Sequence, residues 1–139
     1  MSDVHRMPVR IYFEDTDSGG IVYYANYLKY AERARTELLR SLGVESGQMM
    51  QKLGVGLAVR RCCAEYLKPA KLDDEVVVET VLQKVGGASM ELRQTVKRGD
   101  DDLVQMEVKL GCINFQNGRP VALPVDIRLT LQKQMNAYS

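Results

Sequence analysis

Apolar and polar residues alternate through most of the second half of the chain. Val76 to Val85 is rich in Val, Thr and Leu and stops at Gly86-Gly87. Met90, Leu92 and Val96 then fall on one face with Glu91, Arg93 and Lys97 on the other, before the turn Gly99-Asp100-Asp101-Asp102. Val104, Met106, Val108, Leu110 and Cys112 alternate with Gln105, Glu107 and Lys109 up to Asn117-Gly118. A period of two is the mark of a half-buried strand, so three antiparallel strands joined by short turns are expected here. Two further strands are expected at Val9 to Phe13 and at about Gly56 to Leu67, the latter closed by Pro69.

Between those two lies one strongly helical stretch, Asn26 to Leu42. Tyr27, Tyr30, Ala31, Ala34, Leu38 and Leu42 recur there at spacings of three and four, Arg33 and Glu37 can pair on the polar side, and Gly43 supplies a stop. Ser46 to Leu53 reads as a further short helical turn. The tail Val125 to Met135 carries Ile127, Leu129 and Leu131 and is expected as a short terminal helix. The order is one strand, one long helix, then about four strands, an α+β pattern with the helix packed on one face of an antiparallel sheet. One helix cannot cover such a sheet on both faces, and an uncovered edge invites a second copy, so a homo-oligomer is expected.

The 139 residues are 45% hydrophobic and 27% charged, with a formal charge of +1. That balance suits one domain, residues 1–139, with a single core. No Lys/Arg run is long enough for phosphate-backbone recognition, so nucleic acid is not an expected partner. No signal segment and no apolar stretch of about 20 residues is visible, and a cytoplasmic protein without a transmembrane segment is expected. Cys62, Cys63 and Cys112 show no metal-ligand spacing and are expected to be reduced, half-buried strand residues. His5, the one histidine, is expected at the surface. With no GxSxG elbow and no other histidine, a serine or cysteine hydrolase is disfavoured, and no cofactor or metal is implied.

The most unusual stretch runs from Glu14 to Tyr27, Glu-Asp-Thr-Asp-Ser-Gly-Gly-Ile-Val-Tyr-Tyr-Ala-Asn-Tyr. It sets three carboxylates, two glycines and three tyrosines between a strand and the start of the helix. Glycines admit close backbone approach, and a helix start presents free N–H groups that can polarise a carbonyl. A carboxylate near such donors is the minimum equipment for hydrolysing an activated acyl compound. Composition alone favours the plainer reading, an acidic turn that only caps the helix.

Arg10-Ile11, Thr16-Asp17, Gly20-Ile21-Val22 and Tyr27, followed by Leu28 to Glu37 and by Tyr66-Leu67-Lys68-Pro69-Ala70-Lys71-Leu72-Asp73-Asp74, resemble the hotdog-fold thioesterases of the 4-hydroxybenzoyl-CoA thioesterase class. Among these the chain looks most like the acyl-CoA thioesterases associated with the Tol-Pal system, over nearly its whole length. The resemblance implies a hotdog fold, an antiparallel sheet of about five strands wrapped around one long central helix, and hydrolysis of an acyl-CoA, short-chain or aromatic. It makes Asp17 the catalytic carboxylate, as base or nucleophile, and the Tyr24 backbone N–H the group that polarises the thioester carbonyl. Gly20, Val22, Tyr23 and Tyr27 are the neighbouring substrate-binding candidates, and Arg60, Arg61 and Lys68 are candidates to meet the phosphates of coenzyme A. A homodimer or homotetramer and a link to the Tol-Pal system or to acyl carrier protein are implied by resemblance only. Tyr24 stands where the Tol-Pal-associated members have His, and Phe13 where they commonly have Tyr. A non-catalytic acyl-CoA or acyl-carrier-protein binding module on the same fold is the alternative.

Overall fold

The computed structural model describes residues 4–136. Five strands form one antiparallel sheet: β1 (His5–Arg10), β2 (Val55–Tyr66), β3 (Glu75–Val85), β4 (Ser89–Arg98) and β5 (Asp101–Asn114), in the spatial order β1-β3-β4-β5-β2. The long helix α1 (Asn26–Ser41) connects β1 to β2, the two strands that end on opposite edges. A short α2 (Ser46–Gln48) runs into one π-helical turn, Met49–Leu53, which Gly54 ends in the left-handed region. The terminal helix α3 (Val125–Asn136) packs on β3. The α+β class, the long helix and the tail helix are as the periodicity predicts.

The sheet has two chemically different faces, which is why its strands read so clearly. Val76, Val78 and Leu82 of β3, Met90, Leu92 and Val96 of β4, and Val104, Met106, Val108 and Leu110 of β5 are all buried. Against them lie Tyr27, Tyr30, Ala31, Ala34, Leu38 and Leu39 of α1 in one continuous core. Each fully buried Leu or Val contributes about 1.5–3 kcal/mol. The opposite face is laddered with charge: Arg93 stands across from Glu107 and bonds it at 2.9 Å, and Arg6 across from Glu79 at 3.0 Å. Among the described residues no helix is long and apolar enough to cross a membrane.

Several details differ from the sequence expectation. The first strand is His5–Arg10 rather than Val9 to Phe13, because the Asp15 carboxylate accepts the Tyr12 N–H at 2.8 Å and folds Phe13–Asp15 into a 3-10 turn. His5 is therefore a partly covered strand residue, and burial lowers its pKa, with Glu37 opposing. Glu37 bonds Arg40 at 3.0 Å rather than Arg33. Cys112 is buried, but Cys62 and Cys63 are exposed and not half-buried, since β2 is an edge strand with no neighbour beyond it among the described residues. All three are free thiols.

Candidate active site

The Glu14 to Tyr27 stretch folds as a miniature hairpin set against the start of α1. Thr16 bridges Val22, and the Asp17 N–H donates to the Ile21 carbonyl at 2.9 Å. The tip closes through the Gly20 N–H, which donates to the Asp17 carbonyl at 3.1 Å, with Gly20 at φ +80°. A residue with a Cβ is strained in that region, so the glycine is required by the turn. Asp17 Oδ1 accepts the Gly19 N–H at 2.8 Å, an Asx-type contact that orients the carboxylate, and among the described residues no donor occupies Oδ2. Asp17 is exposed.

The helix start supplies the complementary donors. The N–H groups of Asn26, Tyr27 and Leu28 each turn back on the carbonyl three residues earlier, those of Tyr23, Tyr24 and Ala25. Asn26 also anchors the segment from its side chain, donating to the Asp15 carbonyl at 2.8 Å. Among the described residues neither the Tyr24 nor the Ala25 N–H donates to a protein acceptor. These are the two orphan donors at this end of α1, and they carry the positive end of its dipole.

A loop from the far end of β2 forms the opposite wall. The Val22 N–H donates to the Ala70 carbonyl at 2.9 Å, the Ala70 N–H donates to the Tyr27 hydroxyl at 2.9 Å, and Ile21 bridges Lys71. Arg98 steadies the same loop, donating to the Asp74 carboxylate at 2.7 Å and to the Pro69 carbonyl at 3.3 Å, while Asp74 also accepts the Lys71 N–H. Burial pushes the Asp74 carboxyl up, but the Lys71 N–H and the Arg98 guanidinium outweigh it and hold it below the ordinary value. Between hairpin and loop opens a cleft of about 250 Å³, apolar in its walls, lined by Ile21, Val22, Tyr24, Tyr27, Tyr66 and Leu67 with Lys68 and Pro69 at its side. The Tyr66 ring meets Tyr24 edge-on at 5.9 Å and Tyr27 at 5.8 Å. Burial raises the pKa of both Tyr27 and Tyr66, so they face the cleft as neutral phenols.

The structure therefore gathers Val22, Tyr24, Tyr27 and Lys68 around one cleft, beside the hairpin that carries Asp17 and Gly20. Tyr23 is half exposed and meets Tyr24 ring to ring at 4.9 Å with the planes tilted by 49°, without lining the cleft. Arg60 and Arg61 lie elsewhere on β2: the Arg60 stem covers Gly111, and Arg61 faces Glu91 at 3.9 Å. Lys68 is paired with Asp101 at 3.2 Å and is the one of the three cations that reaches the cleft. Sequence reasoning passed over Tyr66 and Leu67 as cleft walls, although both stand in the Tyr66 to Asp74 segment whose pattern was distinctive. Among the described residues no three His, Cys, Asp or Glu side chains form a metal-ligand group.

Comparison with known proteins agrees with this architecture. A chain from Haemophilus influenzae named acyl-CoA thioesterase YbgC is 39% identical over 121 residues, covering 87% of this chain and 89% of its own length. One from Escherichia coli, named acyl-CoA thioester hydrolase YbgC, is 38% identical over 123 residues, covering 88% and 91%. The crystal structure of a probable thioesterase from Bartonella henselae superposes with a TM-score of 0.83 at 31% identity, covering 87% of this chain and 99% of that one. Residues 11–131 match the family model of the thioesterase-like superfamily, and the chain, a hotdog fold, belongs to that superfamily.

Proposed function

We propose that the protein is an acyl-CoA thioesterase and that the hairpin carrying Asp17 is its catalytic centre. The observation that carries this reading is the pairing of a carboxylate, oriented by the Gly19 N–H and open at Oδ2, with the orphan donors of Tyr24 and Ala25 on the next turn of chain. Acting as a base, Asp17 takes a proton from water, hydroxide adds to the thioester carbonyl, and the Tyr24 N–H receives the developing oxyanion. Collapse of the tetrahedral species breaks the C–S bond and releases coenzyme A thiolate. Acting as a nucleophile, the same oxygen adds to the carbonyl and expels the coenzyme A thiolate, leaving an acyl anhydride that water then cleaves to the free acid and the Asp17 carboxylate. Because the donor is a backbone group, Tyr in place of His at position 24 leaves it intact.

The apolar cleft suits a short-chain or aromatic acyl group, with Tyr24, Tyr27 and Tyr66 as its aromatic walls. Lys68 stands where a phosphate of coenzyme A could replace Asp101 as its partner. A carrier-protein thioester presents the same acyl-pantetheine chemistry and is the second substrate form to test. Gly20 shapes the turn, and Tyr23 supports Tyr24 by ring contact. We read the protein as a homo-oligomer, dimer or tetramer, because among the described residues nothing pairs with the outer edge of the twelve-residue β2.

The test is release of free thiol from short, long and aromatic acyl-CoAs by the wild type and by Asp17→Asn. A fold-preserving Asp17→Asn is expected to lose about 10²-fold or more in kcat. Wild-type turnover in that variant would remove Asp17 from the mechanism, and binding without turnover in the wild type would favour a non-catalytic acyl-CoA module.

A further inference from the structure

Asn is a poor residue inside a helix and a good one just before it, where its side chain caps the first free N–H groups. In α1 it comes one position late. Asn26 is the first helical residue, and Ala25, in the capping position, makes no side-chain cap. The Asn26 amide reaches instead onto the hairpin, where Nδ2 donates to the Asp15 carbonyl at 2.8 Å in a partly buried bond. That same oxygen accepts the Tyr23 N–H at 3.0 Å, so one carbonyl takes two donors from the chain that leads into α1. The helix start goes without a cap while the residue suited to supply one holds the hairpin, a trade of local stability for geometry. Asp17 lies two residues along the chain from this shared carbonyl, and Tyr24 lies one residue after Tyr23 and two before Asn26. The carboxylate and the backbone donor thus belong to different segments, hairpin and helix start, and both segments are tied at Asp15.

We propose that Asn26 is a positioning residue for thioester hydrolysis: its side-chain amide fixes the spacing between the Asp17 carboxylate and the Tyr24 N–H without entering the chemistry. This rests on the thioesterase reading. The acyl cleft does not depend on the bond, because its walls are joined from the other side, through the Val22 N–H on the Ala70 carbonyl and the Ala70 N–H on the Tyr27 hydroxyl. The Tyr23 N–H also keeps its hold on the Asp15 carbonyl, so the hairpin shifts without unfolding. Loss of the Asn26 donor therefore loosens the reacting groups against each other while the acyl group keeps its place, and the effect falls on kcat and not on KM.

The experiment is thiol release from short, long and aromatic acyl-CoAs by variants of the full chain, each also followed in a thermal scan. Asn26→Ala and Asn26→Asp both lack the donor, and each is expected to lose about 10- to 100-fold in kcat with KM within about 3-fold of the wild type. Agreement between the uncharged and the charged variant assigns the loss to the donor. A carboxylate suits the first turn of a helix, so Asn26→Asp is expected to melt within about 3 °C of the wild type, which separates geometry from stability. Should it melt lower, Asn26→Ala assayed well below its melting temperature carries the same comparison. Asn26→Gln keeps an amide donor and is expected to retain more kcat than either. An Asn26→Asp variant that melts and turns over like the wild type overturns the positioning role alone, and so does a loss in Asn26→Ala carried wholly by KM. A wild type that releases no thiol from any acyl-CoA overturns the thioesterase reading and this role with it.

Discussion

Tyr27→Phe isolates one hydrogen bond that joins the core to the candidate site. The hydroxyl accepts the Ala70 N–H at 2.9 Å, and both residues are buried, Tyr27 at 3% and Ala70 at 0% exposure. Phenylalanine keeps the ring, and with it the contacts to Tyr30 and Tyr66. What it removes is the acceptor, leaving a buried backbone donor without a partner, which costs about 1–3 kcal/mol. At this chain length about 3 °C of melting temperature accompanies each kcal/mol, so a fall of about 3–9 °C is expected in a thermal scan. Tyr12→Phe is the control, since Tyr12 is 62% exposed, and it is expected to stay within about 0.5 kcal/mol of the wild type. The Val22 N–H still holds the Ala70 carbonyl, so the loop shifts without coming free. The loss in kcat/KM is therefore expected to stay below the ~10²-fold that a 1 Å misplacement costs. Equal melting of Tyr27→Phe and Tyr12→Phe would refute the reasoning, because the hydroxyl would then be doing nothing water could not do.

Gln94→Leu removes the acceptor of Arg35 and the donor to the Ala31 carbonyl and Thr80 hydroxyl together, and chemical denaturation is expected to show a loss of about 3–5 kcal/mol, as for breaking a buried charge's partner. Gly20→Ala meets no atom within 4 Å, so its cost is the left-handed backbone alone, about 1–2 kcal/mol by denaturation, with a fall in thiol release because the turn carries Asp17. Asp74 has its carboxyl held below the usual value of 3.8, so the unfolded chain binds its proton first as the pH falls. Its contribution is complete above that pH and is lost as the pH falls through the folded value, so the stability gap between wild type and Asp74→Asn is expected to be constant near neutrality and to narrow below about pH 4 in pH-dependent unfolding.

How much of this could be read from the chain alone follows from which interactions are local. The strands β3, β4 and β5 were legible because one face of the sheet is apolar and the other carries Arg93, Glu107 and Lys97, which writes the period of two into the sequence. The end of β1 was not, because a side chain decides it: the Asp15 carboxylate captures the Tyr12 N–H and stops the strand where the apolar pattern would have continued. The exposure of Cys62 and Cys63 depends on sheet order. β2 follows α1 in sequence but lies outside β5, and composition has no way of saying which strand lacks a neighbour. The candidate site divides along the same line. Asp17, Gly20 and Tyr24 share one hairpin and its helix start, so their proximity was written in a short stretch, whereas Tyr66 and Leu67 reach the cleft only through the pairing of Ala70 with Val22 and Tyr27. Arg35 lies between these cases. It stands four residues after Ala31 and three before Leu38, squarely on the apolar period of the helix, and a cation in that register predicts either a break in the amphipathic face or a buried charge with a purpose. Burial of Arg35 at 9% exposure excludes the first, and the Gln94 amide oxygen, itself brought there by β4, is the acceptor that the helix alone could not reveal.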